Sequence, residues 1–566
     1  MNCVSRLRAK RRIEILQTKL GEKTTGLNVA EDLAKLQKEV SISEFFLKNR
    51  HLLGFDNPKK ALLTTIKEAV DNALDACQEN KVLPEIEVII ENKGENKYKV
   101  TVEDNGPGIT KEQMPKVFGK LLYGSKFHRQ RQSRGMQGLG ISASVMYGQL
   151  TTGKPAKIMS KIGKGKPANY IELHLNTKTN SPEIMKDEVR EWEKEHGTRV
   201  EIELEADYQK GQRSVDEYMK YTAIANPQAK ITYTAPDGQK TEFIRATNEL
   251  PKEPKEIKPH PYGIELGILI SMLRDSKSNT LSSFLQTEFS RVSSGVAKEI
   301  IEKAKLYDKA KPERIAREEA ENLLKAIRDT KIIAPPTDCL VPIGEDAIEK
   351  GLRKEVEAEF YTSVTRPPAV YRGFPFQIEA GIAYGGALPV EDLAKVIRFA
   401  NKVPLQYQQA GCAVTKAIIE TAWKNYGISQ SRGALPAGPL IVMVHIASVW
   451  VPFTSESKEA VASYPEIMHE IKLSLQECGR RLAGYVRKIK KGAHEAERKK
   501  IFDLYMVEVA ESLHDFTNCD KKKVIEDMKK IAGSKTLTLE QEEEIKARAE
   551  LTKKRKKSGE EEEEND

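Results

Sequence analysis

The segment TTIKEAVDNALDACQEN, residues 64–80, constrains this chain more than any other stretch of it. Ile66, Ala69, Val70, Ala73, Ala76 and Cys77 recur at helical spacing and form one apolar stripe. Glu68, Asn72 and Asp75 stand at i, i+4 and i+7, so they stack on the opposite face. A solvated face normally mixes in Lys or Arg, and here Lys67 is the only basic residue before Lys81. The pattern predicts a core-packed helix whose polar side has a task other than solvation.

A second signal follows in YKVTVEDNGPGI. Tyr98, Val100 and Val102 alternate onto one face of a strand, and the same period places Asp104 on that apolar face. A carboxylate there is costly unless it is hydrogen-bonded. The Asn-Gly-Pro-Gly turn that follows leaves two readings open: Asp104 caps its own turn, or it faces a pocket. A third signal is SRGMQGLGIS, where Gly135, Gly138 and Gly140 precede a helical run. Glycines let backbone N–H groups approach phosphates, and a helix N-terminus adds favourable partial charge. The spacing is neither the dinucleotide-binding GxGxxG nor a P-loop. GQLTTGKP, residues 148–155, nearly spells a P-loop, but Pro155 lacks both the hydroxyl and the N–H that the motif requires.

At 566 residues the chain is too long for a single core. Its 39% hydrophobic and 31% charged residues describe a globular protein, and its net charge of +9 permits a nucleic-acid partner without requiring one. The six cysteines lie far apart with no CxxC, which argues against a zinc site or a disulfide framework and suits a reducing cytosol. The longest apolar run, PLIVMVHIASVWVPF, is interrupted by His445 and is too short for a membrane span. PKEPKEIKPHP reads as a linker, and the closing KKRKKSGEEEEEND as a charged tail.

In their order along the chain, these segments resemble the GHKL (Bergerat) ATPase superfamily of gyrase-type topoisomerases, ninety-kilodalton heat-shock chaperones, MutL and histidine kinases. The resemblance implies an α+β sandwich that binds ATP and Mg2+. Glu68 matches the general base, Asn72 the magnesium ligand, and Asp104 the acceptor for the adenine amino group. Arg134, Gly135, Met136, Gln137, Gly138, Leu139, Gly140 and Ile141 match the lid. Thr198, in HGTRVEIE, matches the Gly-Thr motif, and Ser125 and Lys126 match a loop beside the nucleotide.

Longer stretches, SISEFFLKNRHLLGFDNPKKALLTTIKEAVDNALDAC among them, are similar to the family of DNA topoisomerase VI B subunits, the ATPase components of the archaeal type IIB enzyme. That likeness implies an α/β multidomain chain: an extension over 1–30, a GHKL ATPase domain over 31–257, and a helix-two-turns-helix insert over 258–336. An α/β transducer domain with a long C-terminal helix follows over 337–500, then a helical segment and charged tail over 501–566. Lys458, in PFTSESKEA, matches a switch lysine that reaches the γ-phosphate and takes part in catalysis. The implied partners are the topoisomerase VI A subunit in an A2B2 heterotetramer, a second B subunit in an ATP-dependent dimer, and duplex DNA. The implied place is the cytoplasm, beside the nucleoid, with no membrane.

Cleavage itself is not expected of this chain. No two aspartates stand two apart, and none of the eighteen tyrosines adjoins an obvious base. Basic segments offer sequence-independent contacts to DNA phosphates: Lys210 and Arg213 in YQKGQRS, and Trp423, Lys424 and Tyr426 in WKNY. The competing readings are a GHKL chaperone or a MutL-like repair clamp, which lacks the 258–336 insert in the chaperone case, and a histidine kinase. The last requires a phosphoacceptor histidine ahead of the ATPase helix, where only His51 stands.

Overall fold

The alternation of Ile86, Val88 and Ile90 in one strand with Val200, Ile202 and Leu204 in another builds the floor of the first domain; all six are buried. The computed structural model describes residues 40–126, 129–135, 138–455 and 457–535. The expected extension over 1–30, Met136, Gln137 and the charged tail therefore lie outside the described residues. The chain divides into two compact units, Met1–Leu482 and Ala483–Asp566.

The first unit opens with a short helix α1 (Ile42–Lys48) and the long helix α2 (Pro58–Glu79). Asn57 caps α2 by accepting from the Lys60 N–H, and Pro58 occupies the first turn, where a missing N–H costs nothing. The apolar stripe read from the sequence lies on the buried face, with Ile66, Val70 and Cys77 fully covered and Ala76 half-buried, and Leu74, outside that stripe, is fully covered too. Truncating Leu74 to Ala would cost about 2–5 kcal/mol through the cavity it leaves.

This helix lies on an eight-stranded sheet with α3 (Met114–Gly119), α4 (Gly140–Thr152) and α5 (Val215–Ala225). The strands are β1 (Glu85–Gly94), β2 (Lys97–Glu103), β3 (Ala156–Lys161), β4 (Ala168–Asn176), β5 (Ser181–Arg190), β6 (Gly197–Glu205), β7 (Lys230–Thr234) and β8 (Lys240–Phe243). Their order is β5-β4-β3-β6-β2-β1-β7-β8, antiparallel except for the β1–β7 pair. The ends of β2 and β6 bring Asp104 and Thr198 together beside α2.

Four helices follow: α6 (Leu266–Asp275), α7 (Leu281–Glu288), α8 (Ser294–Ala304) and α9 (Arg317–Asp329). They enclose a core of their own around Leu281, Phe284, Ile300, Leu323 and Ile327, in the region where a helical insert was expected. Helix α10 (Glu345–Glu355) then leads into a second sheet of β9 (Phe360–Thr365), β10 (Ala369–Tyr371), β11 (Phe374–Tyr384), β12 (Lys395–Ala400), β13 (Val403–Pro404) and, after α11 (Ala413–Glu420) and the small β14 (Ser429–Gln430) and β15 (Pro436–Ala437) pair, β16 (Leu440–Ser448). The order is β10-β11-β16-β12-β13, with β9 also on β11. The apolar run that was too short for a membrane is the central strand β16, buried along its whole length.

Helix α12 (Pro465–Thr517) starts in the first unit and continues into the second, followed by α13 (Lys521–Lys535). It runs unbroken through residue 500, where the sequence suggested a boundary. Among the described residues no helix is long and apolar enough to cross a membrane.

Candidate active site

Helix α2, the ends of β2 and β6, the glycine loop and a segment of the second sheet surround a cavity of about 310 Å³. Glu68 and Asn72 project from α2 into it, one turn apart; Glu68 is half-buried and Asn72 exposed. Asp104 and Thr198 line its floor.

Asp104 does both things its sequence left open. Its Oδ1 accepts from the Gly106 N–H at 2.8 Å, which caps the turn, and from the Thr198 N–H at 3.2 Å. Its Oδ2 has no hydrogen-bond partner among the described residues. Burial pushes its pKa up to about 6, against the pull of those two backbone donors. The strands approach closely here because residue 197 is glycine: at φ +144° a Cβ would run into the Asp104 carbonyl. Thr198 Oγ1 lies 3.1 Å from Ser160 Oγ, which fixes the side chain below the cavity.

The glycine loop sits over the polar face of α2. A Cβ on Gly140, the first residue of α4, would overlap the Glu68 carboxylate, so only glycine lets that acid lie against the helix N-terminus. The positive end of a helix favours a nearby anion. Gly135, Gly138, Leu139 and Ile141 also line the cavity, and Ser125 and Lys126 form part of its rim.

Arg134 of the lid and Lys126 of the loop before it have other engagements. Arg134 is buried, and its guanidinium donates to Asp75 Oδ1 at 2.6 Å, Gln78 Oε1 at 2.9 Å and Asn226 Oδ1 at 2.5 Å. Lys126 pairs with the other oxygen of Asp75. Burial alone would raise the pKa of Asp75, but Lys126 and Arg134 together hold it at about 2. The Arg134 side chain therefore ties the lid to α2 through these three contacts, while its backbone carbonyl faces Lys458.

Lys458 enters from the second sheet. It lies at the tip of a loop, in the left-handed region at φ +52°, with its N–H donating to the Ser455 carbonyl. Its Nζ is 3.5 Å from the Arg134 carbonyl, and it lines the same cavity as Glu68 and Asn72. Pro404, Leu405, Gln406 and Tyr407, which no sequence motif marked, form another part of the wall. Asp71, also unmarked, is buried beneath the site; it accepts from the Tyr218 hydroxyl at 3.3 Å, and burial lifts its pKa to about 7.

Of the residues expected to meet DNA, Lys210, Arg213 and Lys424 are exposed. Lys210 pairs with Asp237 at 2.7 Å. Trp423 corrects the expectation: it is fully buried, with its indole N–H donating to the Ile418 carbonyl at 2.8 Å, so it has no face for a base or a phosphate. Tyr426 is half-buried, and its ring fills the space above Gly479 of α12.

This fold and this cavity define a GHKL-type ATPase. Residues 57–208 match the family described as histidine kinase-, DNA gyrase B-, and HSP90-like ATPase, and residues 335–499 match topoisomerase VI B subunit, transducer. The chain is 50% identical over 507 residues to the B subunit of type 2 DNA topoisomerase 6 from Methanococcoides burtonii, covering 89% of this chain and 82% of that one. It is 38% identical over 564 residues to the protein of the same name from Pyrococcus furiosus, covering 91% and 97%. The chain belongs to the family of type 2 DNA topoisomerase 6 B subunits. The solved ATPase region of Saccharomyces cerevisiae topoisomerase II aligns with 80% of this chain and all of its own at 12% identity and a TM-score of 0.38, too loose a likeness to argue from.

Proposed function

We propose that this chain is the ATP-hydrolysing gate of a type IIB DNA topoisomerase, with strand cleavage carried by a separate polypeptide, the A subunit. The observation that carries this reading is that Glu68 and Asn72 of the first domain and Lys458 of the second line one cavity, floored by an aspartate with one oxygen unpartnered among the described residues. A nucleotide seated there would touch both domains at once. Its adenine amino group would donate to Asp104 Oδ2, and its phosphates would lie toward the glycine loop and the N-terminus of α4.

Glu68 acts as the general base. It takes a proton from a water as that water's oxygen bonds to the γ-phosphorus, while the bond to the bridging oxygen breaks and its electron pair leaves with ADP. Lys458 neutralises charge on the γ-phosphate and loses its partner when that group departs. The two nucleotide states therefore differ in how strongly they hold the domains together, which coupling requires.

Among the described residues no cluster of three or more His, Cys, Asp or Glu could hold a metal ion by itself. Asn72 offers a single neutral oxygen at the cavity, which fits Mg2+ bound mainly through phosphates and water. When bound there, the ion would supply charge neutralisation to the phosphates; Asn72 is the residue that would hold it.

In the second unit Leu504, Tyr505, Val507 and Phe516 of α12 are exposed apolar residues. They support assigning this stretch to contact with the cleaving partner in an A2B2 assembly. Lys210, Arg213 and Lys424 support a sequence-independent grip on duplex DNA. The reading is tested by sedimentation of the full chain with and without a non-hydrolysable ATP analogue, and by decatenation in the presence of the cleaving partner. Analogue-dependent dimerisation and ATP-dependent decatenation are expected. The same mass in both conditions, or DNA cleavage by the chain alone, would overturn it.

A further inference from the structure

The lysine at the loop tip does not place itself. Lys458 has four side-chain torsions and a left-handed backbone that an L-residue adopts at some cost. The loop is a hairpin closed by the Phe453–Val461 bridge and by the Thr454 N–H donating to the Ala460 carbonyl at 2.9 Å. That closure fixes the shape of the tip, not its position against α2. The next residue, Glu459, is buried, and its carboxylate lies 2.5 Å from Nζ of Lys60 in the first turn of α2. Lys60 is largely buried too, pairs with Asp56 at 2.8 Å and stands over the Tyr407 ring at 5.5 Å. Eight residues beyond Lys60 on the same helix is Glu68.

We propose that the Lys60–Glu459 ion pair clamps the loop tip onto helix α2, making Lys60 and Glu459 positioning residues that set Lys458 on the γ-phosphate. This rests on the role given to Lys458 above. A covered pair with low freedom holds geometry better than an exposed one, and losing one partner leaves the other charge buried without compensation. The clamp also joins the domains at the border of the cavity, beside Lys458, and its two partners meet without any ligand, so it orients Lys458 before ATP arrives.

The test uses the full chain and steady-state ATP hydrolysis. Lys60→Met and Glu459→Gln should each lower kcat about tenfold while KM for ATP moves less than about threefold, the signature of a contact needed in the transition state. The double variant should be no slower than either single, and Lys60→Arg should restore turnover. In a Lys458→Ala background Glu459→Gln should produce no further loss. Wild-type kcat in both single variants, losses that multiply in the double, or a further loss behind Lys458→Ala would each overturn the clamp. If Lys60→Met fails to fold, the Glu459→Gln comparison with and without Lys458 decides alone. Wild-type turnover in Lys458→Ala itself would instead remove the reading of Lys458, and the clamp would have nothing to position. A loss in Lys458→Ala with none in the clamp variants would spare that reading.

Discussion

Two buried carboxylates, Glu379 in the second sheet and Asp104 just past the end of β2, differ in one respect. Glu379 in β11 is fully covered and fully answered. It accepts from the Ile343 and Gly344 N–H groups, each at 2.7 Å, from the Thr365 hydroxyl at 2.9 Å and from His445 Nδ1 at 2.7 Å. Burial works against its charge, yet His445 and the backbone donors hold its pKa below the usual carboxylate value. His445 Nε2 accepts from the Lys402 N–H at 2.9 Å, so the ring is neutral with its proton on Nδ1, and burial keeps its pKa low. Asp104 has donors for one oxygen and, among the described residues, none for the other, and burial wins: its pKa rises to about 6. A satisfied buried acid is scaffold, while a half-satisfied one beside a cavity is waiting for a donor.

The sharpest contrast comes from turnover. Glu68→Ala should reduce ATP hydrolysis by about a hundredfold or more while nucleotide affinity stays near wild type, as removal of a general base does. Equal losses of binding and turnover, measured by calorimetry and phosphate release, would break the assignment. Glu379→Ala should leave that chemistry intact in the folded fraction and instead cost about 3 kcal/mol or more of stability, because several buried donors lose their acceptor. Chemical denaturation reads this directly.

Asp104→Asn should weaken ATP binding by about 1–3 kcal/mol, since an amide presents a donor where the adenine amino group needs an acceptor. Its ATP-over-GTP preference should shrink with it. The smallest effect is the pH dependence. The folded pKa of Asp104, about 6, exceeds the unfolded value of about 3.9. The folded state therefore binds more protons between those values, and the free protein loses stability as pH rises through that window. Nucleotide binding runs the other way: the amino donor prefers the carboxylate, so affinity is complete above about pH 6 and falls below it. At a pH equal to the pKa half the acceptor is lost, a change of about twofold. Asp104→Asn should abolish this dependence, and an unchanged profile would assign it elsewhere.

Much of this was legible in the sequence because it is local. The stripe from Ile66 to Cys77 and the alternation at Val100 and Val102 depend on period alone, and the structure buries those residues except Ala76, which is half-buried at the cavity. What depended on distant chain was not legible. Asp75 sits on the polar face of α2 with nothing in its spacing to name its partners, and Arg134 and Lys126 fold back and cover it. The Pro404–Tyr407 wall and Glu459 reach the cavity only through the packing of the second sheet against the first domain. WKNY reads as a basic residue between aromatic contacts, but a single 3-10 turn buries Trp423 and leaves Lys424 outside.

The central claim is that Asp104 is kept incomplete for a nucleotide while Glu379 is complete for the fold. Thermal melting of wild type, Asp104→Asn and Glu379→Ala, each with and without a non-hydrolysable ATP analogue, tests it in one experiment. Asp104→Asn should melt at or above the wild-type temperature without ligand and show a much reduced ligand-induced rise. Glu379→Ala should melt lower yet keep its rise. If Asp104→Asn instead melted low and kept the full rise, Asp104 would be scaffold like Glu379, and the account would be contradicted.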